Sequence, residues 1–102
     1  MGLSQKGISQ DARKAYLRVL MDAISLRAIC EAALGAGKYV RLVHRGVARD
    51  VYPFSIRQGY LFCWCSIHDD REVERMNLYN ISEAAVSSND IGYSFPYASD
   101  FE

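Results

Sequence analysis

Apolar positions recur at helical spacing between residues 9 and 34, and from Lys38 onward they alternate. Ala12, Ala15, Tyr16, Val19, Leu20 and Ala23 make one stripe. Ser9 is placed to cap it, and Asp11 lies in the first turn, where an acid favours the positive helix end. A helix over 9–23 follows. The phase then slips. Ser25 reads as a second cap, and Leu26, Ile29, Cys30, Ala33 and Leu34 form a new stripe that Gly35 and Gly37 end. The pattern leaves open whether the two segments are bent or continuous.

In the alternating part, Val40, Leu42 and His44 share one strand face, and Tyr39, Arg41 and Val43 share the other. Arg45-Gly46 turns the chain into VARDVYPF, a strand that must end, bulge or lie at an edge at Pro53, which has no amide donor. Gln58-Gly59 marks the next turn, and YLFCWCSI is a third strand. His68-Asp69-Asp70 forms a polar turn, Glu72 to Leu78 a fourth strand, Asn77 to Ser82 a tight connection and EAAVSS a short fifth strand. The expected fold is α+β, mainly β: one or two N-terminal helices followed by a five-stranded small barrel of the SH3-like or Sm-like type. The expected division is a helical segment over 1–24, for packing or oligomerisation, and a barrel domain over 25–102.

With half of its 102 residues hydrophobic and only two prolines, the chain can bury a core and is not a disordered or low-complexity sequence. No run reaches the ~20 apolar residues of a membrane-spanning helix, and MGLSQKGISQ lacks the apolar centre of a signal peptide. A cytoplasmic protein is expected. Net charge is zero but unevenly spread. Residues 37–58 carry Lys38, Arg41, Arg45, Arg49 and Arg57 against Asp50 alone, whereas residues 59–102 carry two basic groups against eight acidic. The middle segment is where a polyanion would find a favourable field, unless the acids fold beside it.

Candidate chemistry centres on GYLFCWCSIHDD. Alternation puts Cys63 and Cys65 on one face with Leu61 and Ile67, and Trp64 on the other with Tyr60 and Phe62. Both faces are apolar, which predicts a strand covered on both sides and placed at the centre of the barrel. Cys-x-Cys on an extended segment, with Cys30 distant and His68 three residues on, does not have the paired-knuckle spacing of structural zinc. Redox C-x-x-C is absent too, so the three cysteines are read as reduced thiols packed as small hydrophobes. Gly35-Ala36-Gly37-Lys38 lacks phosphate-loop spacing, and the chain has no nucleophile elbow. No metal, cofactor or enzymatic activity is expected.

The order of SLRAICEAALGAGKYVRLVHRG, RDVYPFSIRQGYLFCWCSIHDD, MNLYNI and SNDIGYSFPYASDF resembles the WYL domain, the ligand-sensing module of many prokaryotic transcription regulators. The resemblance runs from about Ser25 to Phe101. Arg49, Val51 and Pro53 match the family's second strand, and Tyr60-Leu61 stands where it has Tyr-Leu, with Gly59 in place of tryptophan. His44 stands where tyrosine is usual. Met76, Leu78 and Ile81 keep the apolar positions of the closing segment. Glu74 and Asn80 fall where the family has arginines that contact anionic ligands, with Arg75 one place away.

The resemblance implies a barrel that binds nucleic acid or a nucleotide-like ligand and adjusts a DNA-binding regulator, attached or associated. On that reading Arg41, Arg45, Arg49, Arg57 and Arg75 hold the ligand, His44 lies beside them, and Tyr39 and Tyr52 supply exposed aromatic stacking. Arg49 and Arg57, flanking the proline strand, are the first candidates. The alternative is a protein interaction or oligomerisation module built on helix 9–23 and on the aromatic tail Tyr93, Phe95, Tyr97 and Phe101. In either case a homo-oligomer is expected.

Overall fold

The computed structural model describes residues 23–65, 72–92 and 94–102. The helix expected over 9–23, apart from its last position, and the His68-Asp69-Asp70 turn lie outside the described residues. Helix α1 occupies 23–35 and buries Leu26, Cys30 and Ala33, an i, i+4, i+7 stripe. Residues 23 and 24 are already helical, so Ser25 is an exposed interior position and not the cap expected of it. The helix also runs across the expected boundary at 24/25. It ends where Ala36 N–H donates to Ala32 O and Gly37 N–H to Leu34 O, with Gly37 at φ +71° in the left-handed conformation that favours glycine.

Five strands follow: β1 Lys38–His44, β2 Val47–Arg57, β3 Tyr60–Cys65, β4 Val73–Asn77 and β5 Ile81–Asp90, with the 3-10 turn η1 Leu78–Asn80 before the last. They form one antiparallel sheet in the order β4-β3-β2-β1-β5. Two-residue turns make the first two hairpins. Arg45 and Gly46 (φ 50° and 79°) sit between the His44–Val47 pair, and Gln58 and Gly59 (φ 52° and 80°) between Arg57 and Tyr60. Positive φ at both central residues matches the right-handed twist of the flanking strands.

The opposite edges β4 and β5 are separated in sequence only by η1. Four chain steps reach at most about 14 Å, whereas four spacings of a flat sheet cover about 19 Å. The sheet therefore curls. No ladder joins β4 to β5 among the described residues, so the expected barrel is found as a bent, open sheet. The central position belongs to β2, not to β3 as expected, because β1 pairs with β5 on its far side and leaves β3 next to the β4 edge.

Val40 and Leu42 of β1, Val51 of β2, Leu61, Cys63 and Cys65 of β3, and Met76 of β4 line the face under α1. Each such side chain contributes about 1.5–3 kcal/mol by leaving water. Pro53 bulges. Its register partner is Cys63 while Ser55 pairs with Phe62, so the extra residue Phe54 resets the alternation and returns Ile56 to the core side opposite Leu61. On the other face Tyr39, Tyr52 and Trp64 cluster with Phe54 and Phe95. The C-terminal segment covers them. Phe95 stacks on Tyr52 and Trp64 at 4.3 and 5.2 Å, and the bulge carbonyls are satisfied by Ser99 Oγ–H to Pro53 O (2.7 Å) and Asp100 N–H to Phe54 O (2.9 Å). Phe101 then joins the core under α1, with the Arg27 guanidinium 5.4 Å over its ring.

Candidate functional site

The core face changes character at one end. Along β1 the inward positions run Val40, Leu42, His44; along β2, Val51 then Arg49; along β4, Met76 then Glu74. Each of these strands thus turns from apolar to polar or charged side chains toward this end, with Val47 beyond Arg49 on β2. Curling brings these ends toward one another and toward η1, where Arg45 N–H donates to Asn80 O and Leu78 N–H to Gly59 O. The result is an open cleft of about 630 Å³. His44, Arg45, Arg49 and Glu74 line it together with Arg75 and Tyr60, which alternation places on the other face of the β3–β4 edge, and Asn77 and Asn80 border η1.

Within the cleft Arg49 Nη1 donates to Glu74 Oε2 at 2.6 Å, with both side chains about three-quarters buried. Burial, followed by the adjacent Arg49 charge, lowers the pKa of His44 and favours its neutral form. The Arg75 guanidinium lies 4.6 Å over the Tyr60 ring. Asn77 Oδ1 accepts from Tyr79 N–H and shapes the turn. Neither Arg45 nor Arg75 has a carboxylate partner among the described residues. Glu74 is the single acid among the described residues that line the cleft, beside the cations Arg45, Arg49 and Arg75.

Of the eight expected ligand contacts, the structure gathers His44, Arg45, Arg49 and Arg75. The others lie elsewhere. Arg41 projects from the opposite face of β1 and pairs with Asp50 at 3.4 Å, and Arg57 pairs with Asp100 at 3.2 Å. With Lys38 held by Asp90 at 2.6 Å, most of the basic middle segment has acids folded beside it. Tyr39 and Tyr52, expected to be exposed for stacking, are buried at 4% and 6% exposure. The C-terminal segment is the reason: Gly92 N–H donates to Tyr39 Oη, Phe95 covers Tyr52, and Tyr52 Oη–H donates to Glu102.

The sequence marks Glu74 and Asn80 as departures from a family pattern but not as members of a site, and it places Tyr60 on a strand face and at a position of the family resemblance without giving it a site role. Glu74 and Arg49 are 25 residues apart on strands that are not sheet neighbours, so no local pattern links them. All three cysteines are free and buried. Burial pushes the Cys30 thiol up to about 12 and raises Cys63 as well, which makes both poor nucleophiles and poor ligands. A smaller crevice of about 130 Å³, mainly apolar, lies between α1 and the start of β5. Compared with known protein families, curated proteins and solved structures, the chain matches none.

Proposed function

We propose that the protein is a regulatory binding module of the WYL type, and that its cleft holds an anionic ligand, a nucleotide or a short single-stranded nucleic acid. The observation that carries this reading is the convergence of Arg45, Arg49, Arg75 and His44, from three strands and one turn, on one open cleft with a single acid among its described lining residues. Guanidinium forks match phosphate oxygens in a bidentate way. A volume of about 630 Å³ lies within the ~300–1,000 Å³ range of small-molecule sites. The Tyr60 ring beneath Arg75 supplies an aromatic surface for a base if the guanidinium turns toward phosphate. The reading assigns the cleft a binding role that tunes an attached or associated DNA-binding protein, and no catalytic step.

Of the aromatic tail on which the protein-interaction alternative draws, Phe95 and Phe101 pack into the chain's own two cores and Tyr97 is exposed, while Tyr93 and helix 9–23, apart from its last position, lie outside the described residues.

Fluorescence anisotropy with labelled single-stranded DNA and RNA, and with a mononucleotide as competitor, tests the reading. The expected result is salt-sensitive binding. Three arginine–phosphate contacts give a slope of log K against log salt of about −2 on a single strand. Arg45→Gln and Arg75→Gln, both without a carboxylate partner among the described residues, weaken binding while leaving the fold intact. No binding at low salt by a folded protein would sink the proposal.

A further inference from the structure

We infer that Glu74 is a built-in counter-ion for Arg49, which a ligand's anion must displace, so that this ion pair sets the affinity of the cleft. The inference rests on the ligand-binding reading above and concerns the regulation of the same site. Three observations carry it. The Arg49–Glu74 pair is the one carboxylate–guanidinium contact inside the cleft among the described residues, and it is short, at 2.6 Å. It links β2 to β4 across the intervening β3, so it does not belong to a pair of neighbouring strands. Arg49 Nε is also buried with no hydrogen-bond partner among the described residues.

An unmade bond at a buried guanidinium donor is costly, and a carboxylate taking only one edge leaves the fork half used. A phosphate or carboxylate that takes both Nε and an Nη satisfies it. Nε has essentially no contact with solvent, so a ligand that takes it together with an Nη requires the Arg49 guanidinium, held at Nη1 by Glu74, to move. Glu74 therefore acts as an intramolecular competitor for the most enclosed cation, while Arg45 and Arg75 stay open to a first encounter. Such a device weakens binding of any lone anion. It reserves tight binding for ligands whose other groups engage Arg45 and Arg75 as well.

A double-mutant cycle tests this, read by anisotropy of a short fluorescein-labelled oligodeoxythymidine at low salt. Wild type, Glu74→Gln, Arg49→Gln and the double variant are compared, each checked for a cooperative thermal transition. Arg49→Met, which removes the charge but keeps much of the apolar stem, stands in for Arg49→Gln should that variant fail to fold. Glu74→Gln tightens binding about tenfold in the wild-type background, within the range of coupling between contacting charges, and changes it less than about twofold once Arg49 is gone. An equal gain with and without Arg49 means that Glu74 acts only through the general field, and overturns the inference. So does unchanged or weaker binding by Glu74→Gln when wild-type binding still depends on Arg45 and Arg75. Absence of binding by every folded variant instead overturns the ligand-binding reading, and this inference with it.

Discussion

His44 shows how one side chain changes meaning with its surroundings. Its position in the Val40, Leu42, His44 alternation places it on the core side of β1, and there it ends beside a guanidinium at the cleft rim. Burial and then Arg49 hold its pKa below the ordinary value of about 6.5. The unfolded chain therefore takes up a proton at this site at higher pH than the folded protein does. Stability contributed by neutral His44 is full above the unfolded pKa and is lost as pH falls through it toward the folded value, where the loss levels off. A thermal melt followed from about pH 8 to about pH 5 should fall more steeply for wild type than for His44→Gln. Parallel profiles would show that His44 does not titrate differently in the two states. The alternation that placed His44 is a local property of backbone geometry and was legible in the sequence. The lowered pKa was not, because it depends on Arg49 arriving from β2.

At the scale of elements, the C-terminal segment stands out. Pro53 in the central strand forces a bulge, and a bulge leaves backbone carbonyls without ladder partners. Ser99 and Asp100 fill them from a segment more than forty residues away, and Phe95 seals Trp64, which is 1% exposed. Ser99→Ala leaves the buried Pro53 carbonyl short of its donor and should cost about 1–3 kcal/mol. Phe95→Ala, at a half-buried ring, should cost a similar amount and shift Trp64 fluorescence to the red as water reaches the indole. Wild-type emission and wild-type stability in both variants would show that the segment does not hold this face. A bulge was among the outcomes read from Pro53. Its satisfaction by the tail was not, since nothing in SNDIGYSFPYASDF says which strand it crosses.

For the molecule as a whole, one core joins α1, the sheet and Phe101, and all three thiols face into it. With Cys30 pushed up to about 12 and Cys63 raised by burial, alkylation of the native protein should wait on global unfolding. Iodoacetamide should then label Cys30, Cys63 and Cys65 together, quickly in denaturant and hardly at all without it. Rapid native labelling of Cys63 or Cys65 alone would contradict the core assignment and revive a chemical role for the Cys-Trp-Cys strand. The same scale decides charge. The basic run from Lys38 to Arg57 reads as one favourable field along the chain, yet folding sets Asp90, Asp50, Glu74 and Asp100 against four of its five cations. The structure decided that the cysteine face lies under α1, whereas the presence of five strands, both two-residue turns and the two-sided apolar character of β3 were determined by sequence. Each depends on a period of two or on the φ demanded of one or two residues, and such constraints act between near neighbours. Only the tertiary structure decided that the sheet stays open, that β2 is central, that Tyr39 and Tyr52 are covered, and that Arg49 meets Glu74 at a cleft with Arg45 and Arg75. Those facts follow from how far the sheet curls and where the tail lies, which depend on packing between residues remote in sequence.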